Sequence, residues 1–258
     1  MKIFIITMDD PIITNNFIKK VIQFRKDEII GLAKAKGNRL KTFKKSKLEY
    51  IFCLFWILGP ITFIKNTIIS LIFKLESIVF AWFGSYSQYS ILHYCKLRNI
   101  PSYEVSDVNS SFFLETLKEL DPDIIINQSQ QILDREIINL PKYGVINRHN
   151  SLLPRHRGRI TPFWVLLNED KKTGVSIHFV NESLDQGELI YQFSYFINDR
   201  NFNQIVKTNY RIAPFAMLKA LENIENNERY KVPMATAGNY NSTPLFTDLV
   251  RFLKLKYG

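Results

Sequence analysis

The sequence predicts an α/β protein with a Rossmann-like, mostly parallel sheet, helices on both faces, and one helical insertion that is basic and apolar. Short β-branched and aliphatic runs alternate with segments of helical spacing, an order typical of parallel sheets. Of the 258 residues, 46% are hydrophobic and 22% are charged, which allows a sizeable core and excludes a disordered chain. The stretch from residue 34 to about residue 83 breaks the alternation and is assigned to the insertion.

Each strand and helix is predicted from its local pattern. Residues 3–7 form an apolar run that is too short for a signal peptide and is predicted as the first strand. We predict further strands at 28–33, 100–105, 123–127, 144–147, 175–180 and 188–193. We predict helices at 14–24 and 215–224, a helix whose last part is 92–98, and a helix that begins after Ser110. Residues 1–200 are assigned to one catalytic domain, and residues 201–258 to a helical and extended C-terminal extension of it.

The insertion carries much of the excess positive charge. The formal net charge is +10, and seven cations without an acid open the insertion: Lys34, Lys36, Arg39, Lys41, Lys44, Lys45 and Lys47. An almost wholly apolar stretch follows, interrupted by Gly59-Pro60. Three interpretations remain open: a helical insertion buried against the domain or a subunit partner such as a second copy, two amphipathic helices on an anionic bilayer, or a single membrane span.

Two cysteines bear on the cellular compartment. Cys53 and Cys95 are far apart in the sequence and lie in no metal-ligand pattern, so we predict two buried, reduced thiols. We therefore expect a cytoplasmic protein, at the inner membrane surface if the insertion binds lipid.

A polar cluster follows one of the predicted strands. Asn147 and His149 are two residues apart where a buried strand ends, so an extended chain directs both side chains to one face. Strand ends of open parallel sheets are where ligands bind, and an amide beside an imidazole can stabilise an oxyanion and move a proton. Asp185 lies with Gly187 in a turn between two later strands, where its carboxylate could reach a histidine.

Two stretches together resemble the folate-dependent formyltransferase family. Residues 144–158 read GVINRHNSLLPRHRG, and residues 173–192 read TGVSIHFVNESLDQGELIYQ. They are similar to the family pattern Asn-x-His-x-Ser-Leu-Leu-Pro, then a basic residue and Gly, then Gly-Val-Thr-x-His, then Asp-x-Gly before a strand that ends in Gln. The position between the Asn and the His, usually apolar in the family, is Arg148 here. The resemblance extends from about residue 100 to residue 192.

The resemblance implies roles for individual residues. The catalytic residues would be Asn147, His149 and Asp185, and the formyl donor would be N10-formyltetrahydrofolate, with no metal or redox cofactor. The residues implied for the pterin of the donor are Gln131, Ile132, Leu133, Val180, Leu184 and Gly187. The residues implied for the acceptor are Arg148, Ser151 and Arg157. Of the other histidines, we predict His156 as a surface-loop residue and His178 as a hydrogen-bonded strand residue without a catalytic role.

The acceptor amine is open at this point. The leading hypothesis is a nucleotide-linked amino sugar used for surface polysaccharide. Methionyl-tRNA is an alternative because the basic run could bind phosphates, although nucleic acid is not the expected partner. Glycinamide ribonucleotide is disfavoured because residues 8–11 read MDDP, not a Gly-rich phosphate loop. A formyl-folate hydrolase and a catalytically idle module that binds membrane surfaces complete the alternatives.

Overall fold

The described part of the chain is built on one twisted sheet and its covering helices. The computed structural model describes residues 1–36, 47–182, 185–228 and 239–257. In chain order the strands are β1 (Ile3–Thr7), β2 (Ile29–Ala35), β3 (Ser102–Val105), β4 (Ile124–Gln128), β5 (Val145–His149), β6 (Arg157–Gly158), β7 (Lys172–Phe179), β8 (Leu189–Phe196) and β9 (Tyr240–Asn241). The helices are α1 (Thr14–Phe24), α2 (Lys47–Leu58), α3 (Pro60–Trp82), α4 (Ile91–Lys96), α5 (Ser111–Leu120), α6 (Arg135–Ile138), α7 (Thr161–Leu167), α8 (Phe202–Glu225) and α9 (Phe246–Tyr257).

The main sheet has the strand order β3-β2-β1-β4-β5-β7-β8 among the described residues. The strands from β3 to β5 are parallel, whereas β7 pairs antiparallel with both β5 and β8. This arrangement confirms the predicted Rossmann-like, mostly parallel fold. Strands β6 and β9 form a separate parallel pair.

Both faces of the sheet are buried, as a parallel sheet requires. Along β1, Ile3 and Ile5 belong to one core cluster with α1 and α8, whereas Phe4 and Ile6 belong to a second cluster with α5 and α6. Because successive side chains of a strand point to opposite faces, an uninterrupted apolar run is what two covered faces demand.

One helix is far longer than its sequence pattern indicated. We predicted residues 215–224, but α8 begins at Phe202 and contains Pro214. Asn201 caps this helix, since its side chain accepts a hydrogen bond from the Gln204 N–H at 3.2 Å. Helix α8 packs on α1, β7 and β8, and Ile205 in its first half lies in a core cluster with α2, α7 and α9, which local spacing does not reveal.

The insertion forms two helices with different surroundings. Cys53 and Ile57 of α2 are buried in a third cluster with α7, α8 and α9, as predicted for an insertion packed against the domain. Helix α3 has no buried residue. None of the helices in the described ranges is long and apolar enough to span a bilayer.

Cys53 and Cys95 are buried free thiols, as predicted. Of the basic run, Arg39, Lys41, Lys44 and Lys45 lie outside the described residues.

Two neighbouring phenylalanines of α5 test the second core cluster. Phe113 is 1% exposed, and its ring packs at a tilt against the ring of Phe4, with the two centroids 6.0 Å apart. We expect Phe113→Ala to lower the free energy of unfolding by about 3–5 kcal/mol, because it removes a large buried ring and leaves a cavity. The matched control is Phe112→Ala, since Phe112 is 81% exposed and should change stability by less than about 0.5 kcal/mol. Urea unfolding followed by circular dichroism measures both; equal losses would contradict the packing described.

Candidate active site

Three strands bring the candidate residues to one edge of the sheet. Strands β4 and β5 are parallel, and Asn127 pairs with Asn147 where both end. Strand β7 runs antiparallel to β5 and places His178 opposite Asn147. Residues directly opposite each other in an antiparallel pair share a face of the sheet. His178 therefore lies beside Asn147, at the carboxyl edge where open α/β sheets bind ligands.

Asp185 is a buried carboxylate that meets three separate segments. Its Oδ1 lies 3.5 Å from Nδ1 of His149 and 3.7 Å from Nε2 of His178, and the Gly158 N–H donates to its Oδ2 at 2.9 Å. Burial acts to raise the pKa of Asp185, but the charge and contact of His149, together with His178 and the Gly158 N–H, hold that pKa below its usual value. Asp185 is therefore an anion at neutral pH.

His149 is held from both sides of its ring. Nδ1 faces Asp185, and Nε2 lies 2.8 Å from the backbone carbonyl of His156, to which an Nε2–H donates. His149 is the last residue of β5 and is 5% exposed. A carboxylate on one imidazole nitrogen and an acceptor on the other fix the plane of the ring, as in sites where a carboxylate orients a catalytic histidine.

His156 is buried and indirectly supports His149. Its Nε2 lies 2.6 Å from Oδ2 of Asp170, and the side-chain amide of Asn241 donates to its Nδ1 at 3.4 Å. Burial lowers the pKa of His156, and Asp170 opposes this effect. The prediction of a surface-loop residue is wrong, because its partner Asp170 lies after α7 and Asn241 lies near the C-terminus, where no local pattern links them to residue 156.

The orientation of the Asn147 amide is set by a residue that the sequence analysis missed. Gln128, at the end of β4, donates from Nε2 to Oδ1 of Asn147 at 2.6 Å. Because Oδ1 of Asn147 accepts this bond, its Nδ2 hydrogens remain for an acceptor at the sheet edge. The signal that could have found Gln128 is a polar residue that directly follows a buried apolar strand, the same signal that identified Asn147.

Arg148 is tied into the protein rather than aimed at solvent. Its guanidinium donates to Oε1 of Gln128 at 3.0 Å and to the Tyr210 hydroxyl at 2.9 Å, and it lies over the Tyr210 ring. Arg148 alternates with Asn147 and His149 along β5 and faces the helical layer that contains Phe17. Arg148 thus bridges β4 and α8, and its place in the acceptor site stays a prediction.

Ser151 and Gln131 also have internal partners. The Ser151 hydroxyl is fully buried and directed at the backbone carbonyls of residues 155 and 156. The Gln131 amide donates to the carbonyls of Lys36 and Ser106 and accepts from the Val108 N–H. Both side chains brace loops through these bonds. Their roles in donor and acceptor binding stay predictions.

The remaining residues implied for the pterin lie on two facing segments. Leu133 and Val180 pack in the same core cluster, and Ile132 is 68% exposed. Gly187 passes so close to Phe179 that an added Cβ would meet the Phe179 carbonyl oxygen at 1.7 Å, so only glycine fits there. Leu184 lies outside the described residues. Arg157, implied for the acceptor, is half-buried in β6, next to Gly158.

The loop from residue 150 to residue 158 is braced by distant side chains. Ser176 donates to the Ser151 carbonyl at 2.7 Å, and Gln192 donates to the Leu153 carbonyl at 3.0 Å. Asn209 of α8 donates to the Asn150 carbonyl at 3.2 Å. A cavity of about 520 Å³ lies beyond this loop, beside His156 and Arg155, and is not lined by Asn147 or Asp185.

The fold and this cluster define a class of protein. It is a Rossmann-like α/β protein whose sheet edge combines an oriented amide, an imidazole and a buried carboxylate, the groups that acyl-type transfer and hydrolysis require. Sequence comparison gives the family. Residues 76–211, more than half of the chain, match the family described as formyl transferase, and the chain belongs to that family.

Individual relatives agree with the family. The chain is 42% identical to a methionyl-tRNA formyltransferase of Clostridioides difficile over 93 residues, which cover 36% of this chain and 30% of that protein. A glycinamide ribonucleotide transformylase from Symbiobacterium toebii has a similar fold, with a TM-score of 0.62, 10% identity, and coverage of 91% of this chain and 92% of that chain. So does an N-formyltransferase from Helicobacter canadensis, solved in complex with folinic acid and dTDP-3-aminofucose, with a TM-score of 0.57, 17% identity, and coverage of 99% and 80%. The matches to the first curated relatives span less than half of their length.

The environment of His178 leads to a prediction about pH. Burial lowers the pKa of His178 from 6.5 to about 4, and its Nδ1 donates to the Phe179 carbonyl at 2.8 Å. The folded protein therefore keeps this histidine neutral while the unfolded chain protonates it. Between pH 6.5 and about 4 the unfolded state binds more protons than the folded state. We therefore expect the free energy of unfolding to decrease as the pH is lowered through this range, by up to about 3 kcal/mol from this group.

Replacing the imidazole by an amide isolates this effect. We expect His178→Gln to flatten the fall of stability between pH 6.5 and pH 4, as measured by urea unfolding at a series of pH values. A slope that is the same in the variant and the wild type would show that another group carries the pH dependence. The stabilisation that the protein gains from the Asp185 interactions is lost at lower pH. Folding lowers the pKa of Asp185 from 3.8, so this stabilisation begins to disappear only when the pH falls below about 3.8.

Proposed function

We propose that this protein transfers a formyl group from N10-formyltetrahydrofolate to the amine of a nucleotide-linked amino sugar. The observation that carries the formyl transfer is the cluster of Asn147, His149 and Asp185 at the carboxyl edge of the sheet, in a chain of the formyl transferase family. The donor proposal is supported by the N-formyltransferase of similar fold that was solved with folinic acid.

The proposed reaction begins with the attack of the acceptor amine on the formyl carbon. A carbon–nitrogen bond forms, and the carbonyl electrons move to oxygen. The Nδ2 hydrogens of Asn147 would donate to this oxyanion, because Gln128 occupies the Oδ1 side of the amide. The His149 Nε2 hydrogen, which meets the His156 carbonyl in this structure, would turn to the same oxygen.

The amine proton would leave with the help of Asp185. Nε2 of His149 carries the hydrogen that is donated to the oxyanion, and Nδ1 faces Asp185, so neither ring nitrogen is open to that proton. The Asp185 carboxylate would orient His149, attract the amine proton and pass it towards N10. The tetrahedral species then expels N10 of tetrahydrofolate, which takes up a proton as the carbon–N10 bond breaks.

The donor would lie between the segments that hold Ile132 and Leu133 on one side and Val180 and Gly187 on the other. Leu133 and Val180 share a core cluster, so the backbones that flank them are fixed relative to each other. Ile132 is exposed beside them, with its carbonyl already bonded by Asn109. Apolar walls with backbone groups at their edges suit a flat, heteroaromatic pterin.

The choice of acceptor rests on two observations. The loop between β1 and α1 offers no phosphate cradle, because Asp9 accepts from Asn15, from Ser90 and from the Ile91 N–H, and a carboxylate repels phosphate. This argues against glycinamide ribonucleotide. The N-formyltransferase solved with dTDP-3-aminofucose covers almost all of this chain, which favours an amino sugar. Methionyl-tRNA remains the second candidate because of the curated relative from Clostridioides difficile.

Donor binding and catalysis can be tested separately. We expect 5-formyltetrahydrofolate, a stable donor mimic, to raise the melting temperature saturably, since a ligand at 100 times its Kd stabilises the folded state by about 2.7 kcal/mol. His149→Ala should keep this shift but lower formyl transfer by at least about 10²–10³-fold, the typical cost of one oxyanion donor. His93→Ala, in α4 and outside the cluster, is the matched control. A folded wild type without a shift, or an active His149→Ala variant, would refute the assignment.

The acceptor is identified by competition. We expect the wild type, supplied with N10-formyltetrahydrofolate, to formylate the free amine of a nucleotide-linked amino sugar faster than methionyl-tRNA or glycinamide ribonucleotide. Mass spectrometry of the acceptor detects the added formyl group directly. Formylation of methionyl-tRNA alone would replace the sugar proposal with the second candidate and leave the catalytic residues unchanged.

A further inference from the structure

Helix α3 exposes a continuous apolar stripe to solvent. Seven large side chains recur at alternating spacings of three and four residues, and each is between 51% and 85% exposed. These residues, which we call the α3 stripe, are Ile61, Ile64, Ile68, Leu71, Leu75, Ile78 and Trp82. A helix of 23 residues is about 34 Å long, so the stripe runs along nearly its full length.

This spacing is a heptad repeat. Ile61, Ile68 and Leu75 take the a positions and Ile64, Leu71 and Ile78 take the d positions, the apolar pattern that packs one helix against another by knobs into holes. A shallow groove of about 430 Å³ between Ile61, Ile64 and Ile68 lies along the first heptad. The pattern therefore specifies a helical partner rather than an irregular loop.

The opposite face of α3 is anchored to the body of the protein. Phe63 packs edge-on against Phe55 of α2, with ring centroids 5.5 Å apart. Asn203 of α8 donates to Thr62, and the buried Ser87 donates to Glu76 at 2.6 Å. Both ends of the helix are thus fixed, and the stripe is presented outward on a rigid support.

The exposed surface is larger than a monomer normally leaves uncovered. Seven large apolar side chains, each more than half exposed, together exceed the roughly 300–600 Å² of a typical largest patch. They approach the roughly 800 Å² per partner of a standard protein interface. The face of α3 opposite the stripe is already in contact with α2 and α8, so the stripe needs a partner from outside the described residues to be covered.

We infer that the α3 stripe pairs with the α3 stripe of a second copy of this chain. The charges that flank the stripe permit this. Lys65 is at the e position of the first heptad, and Lys74 is at the g position of the second. In a parallel in-register pair, Lys74 lies opposite Val79 of the second copy, so no like charges meet. Glu76, the acidic residue of α3, is already bonded to Ser87.

Two other occupants fit the observations less well. A helix that lies on a bilayer needs a strongly polar face opposite its apolar face, whereas the opposite face of α3 carries Phe63 and packs on α2. The chain segment 37–46 has two large apolar residues, Leu40 and Phe43, too few to fill a stripe of seven.

Sedimentation of the full-length protein tests the inference. We expect the wild type to sediment with the mass of two chains and the double variant Leu71→Glu, Ile78→Glu with the mass of one. Both positions are more than half exposed in the single chain, so the variant should keep the wild-type melting behaviour apart from the loss of dimer. Phe112→Glu is the matched control, because it places the same charge on an exposed ring of α5 and should leave the dimer intact.

Three results would overturn the inference. A wild type that sediments as one chain over a wide concentration range would exclude a dimer. A double variant that remains a dimer would move the interface elsewhere. A single-chain wild type that floats with vesicles of phosphatidylcholine and phosphatidylglycerol, when the double variant does not, would assign the α3 stripe to a lipid surface.

Discussion

The buried carboxylate of Asp185 constrains the site more than any other single group. An ionised side chain in the interior is tolerated only when it is paired and hydrogen-bonded. Asp185 meets this requirement with His149 from β5, His178 from β7 and the Gly158 N–H from β6. Strands β5, β6 and β7 must therefore converge on one point, and their convergence forms the candidate active site.

The support of this site extends outward through backbone groups. The His156 carbonyl receives the Nε2 side of His149, and the His156 ring is itself held by Asp170. Behind the same loop, Ser176, Gln192 and Asn209 bond to the carbonyls of residues 150–153. A catalytic geometry must be kept within a fraction of an ångström, and this double layer of polar contacts provides that rigidity. Arg148 contributes on the other face of β5, where it links Gln128 to Tyr210.

The insertion serves two purposes that its composition does not separate. Helix α2 contributes Cys53 and Ile57 to a core cluster with the C-terminal α9, so it belongs to the folded body. Helix α3 uses α2 as a platform and turns its heptad face outward. Both helices are about equally apolar in sequence; what distinguishes them is which neighbours are within reach.

The sequence by itself determined the sheet and both of its covered faces, and it singled out the three residues proposed for catalysis, because apolar periodicity and short motifs are local properties. The strands at 3–7 and 124–128 follow directly from such runs. Tertiary structure alone decided the length of α8, the burial of His156, the place of His178 beside Asn147, and the internal partners of Gln131 and Arg148. Each of these depends on a hydrogen bond or packing contact with a residue far away in the chain, and a partner brought close only by folding leaves no periodic trace in the sequence.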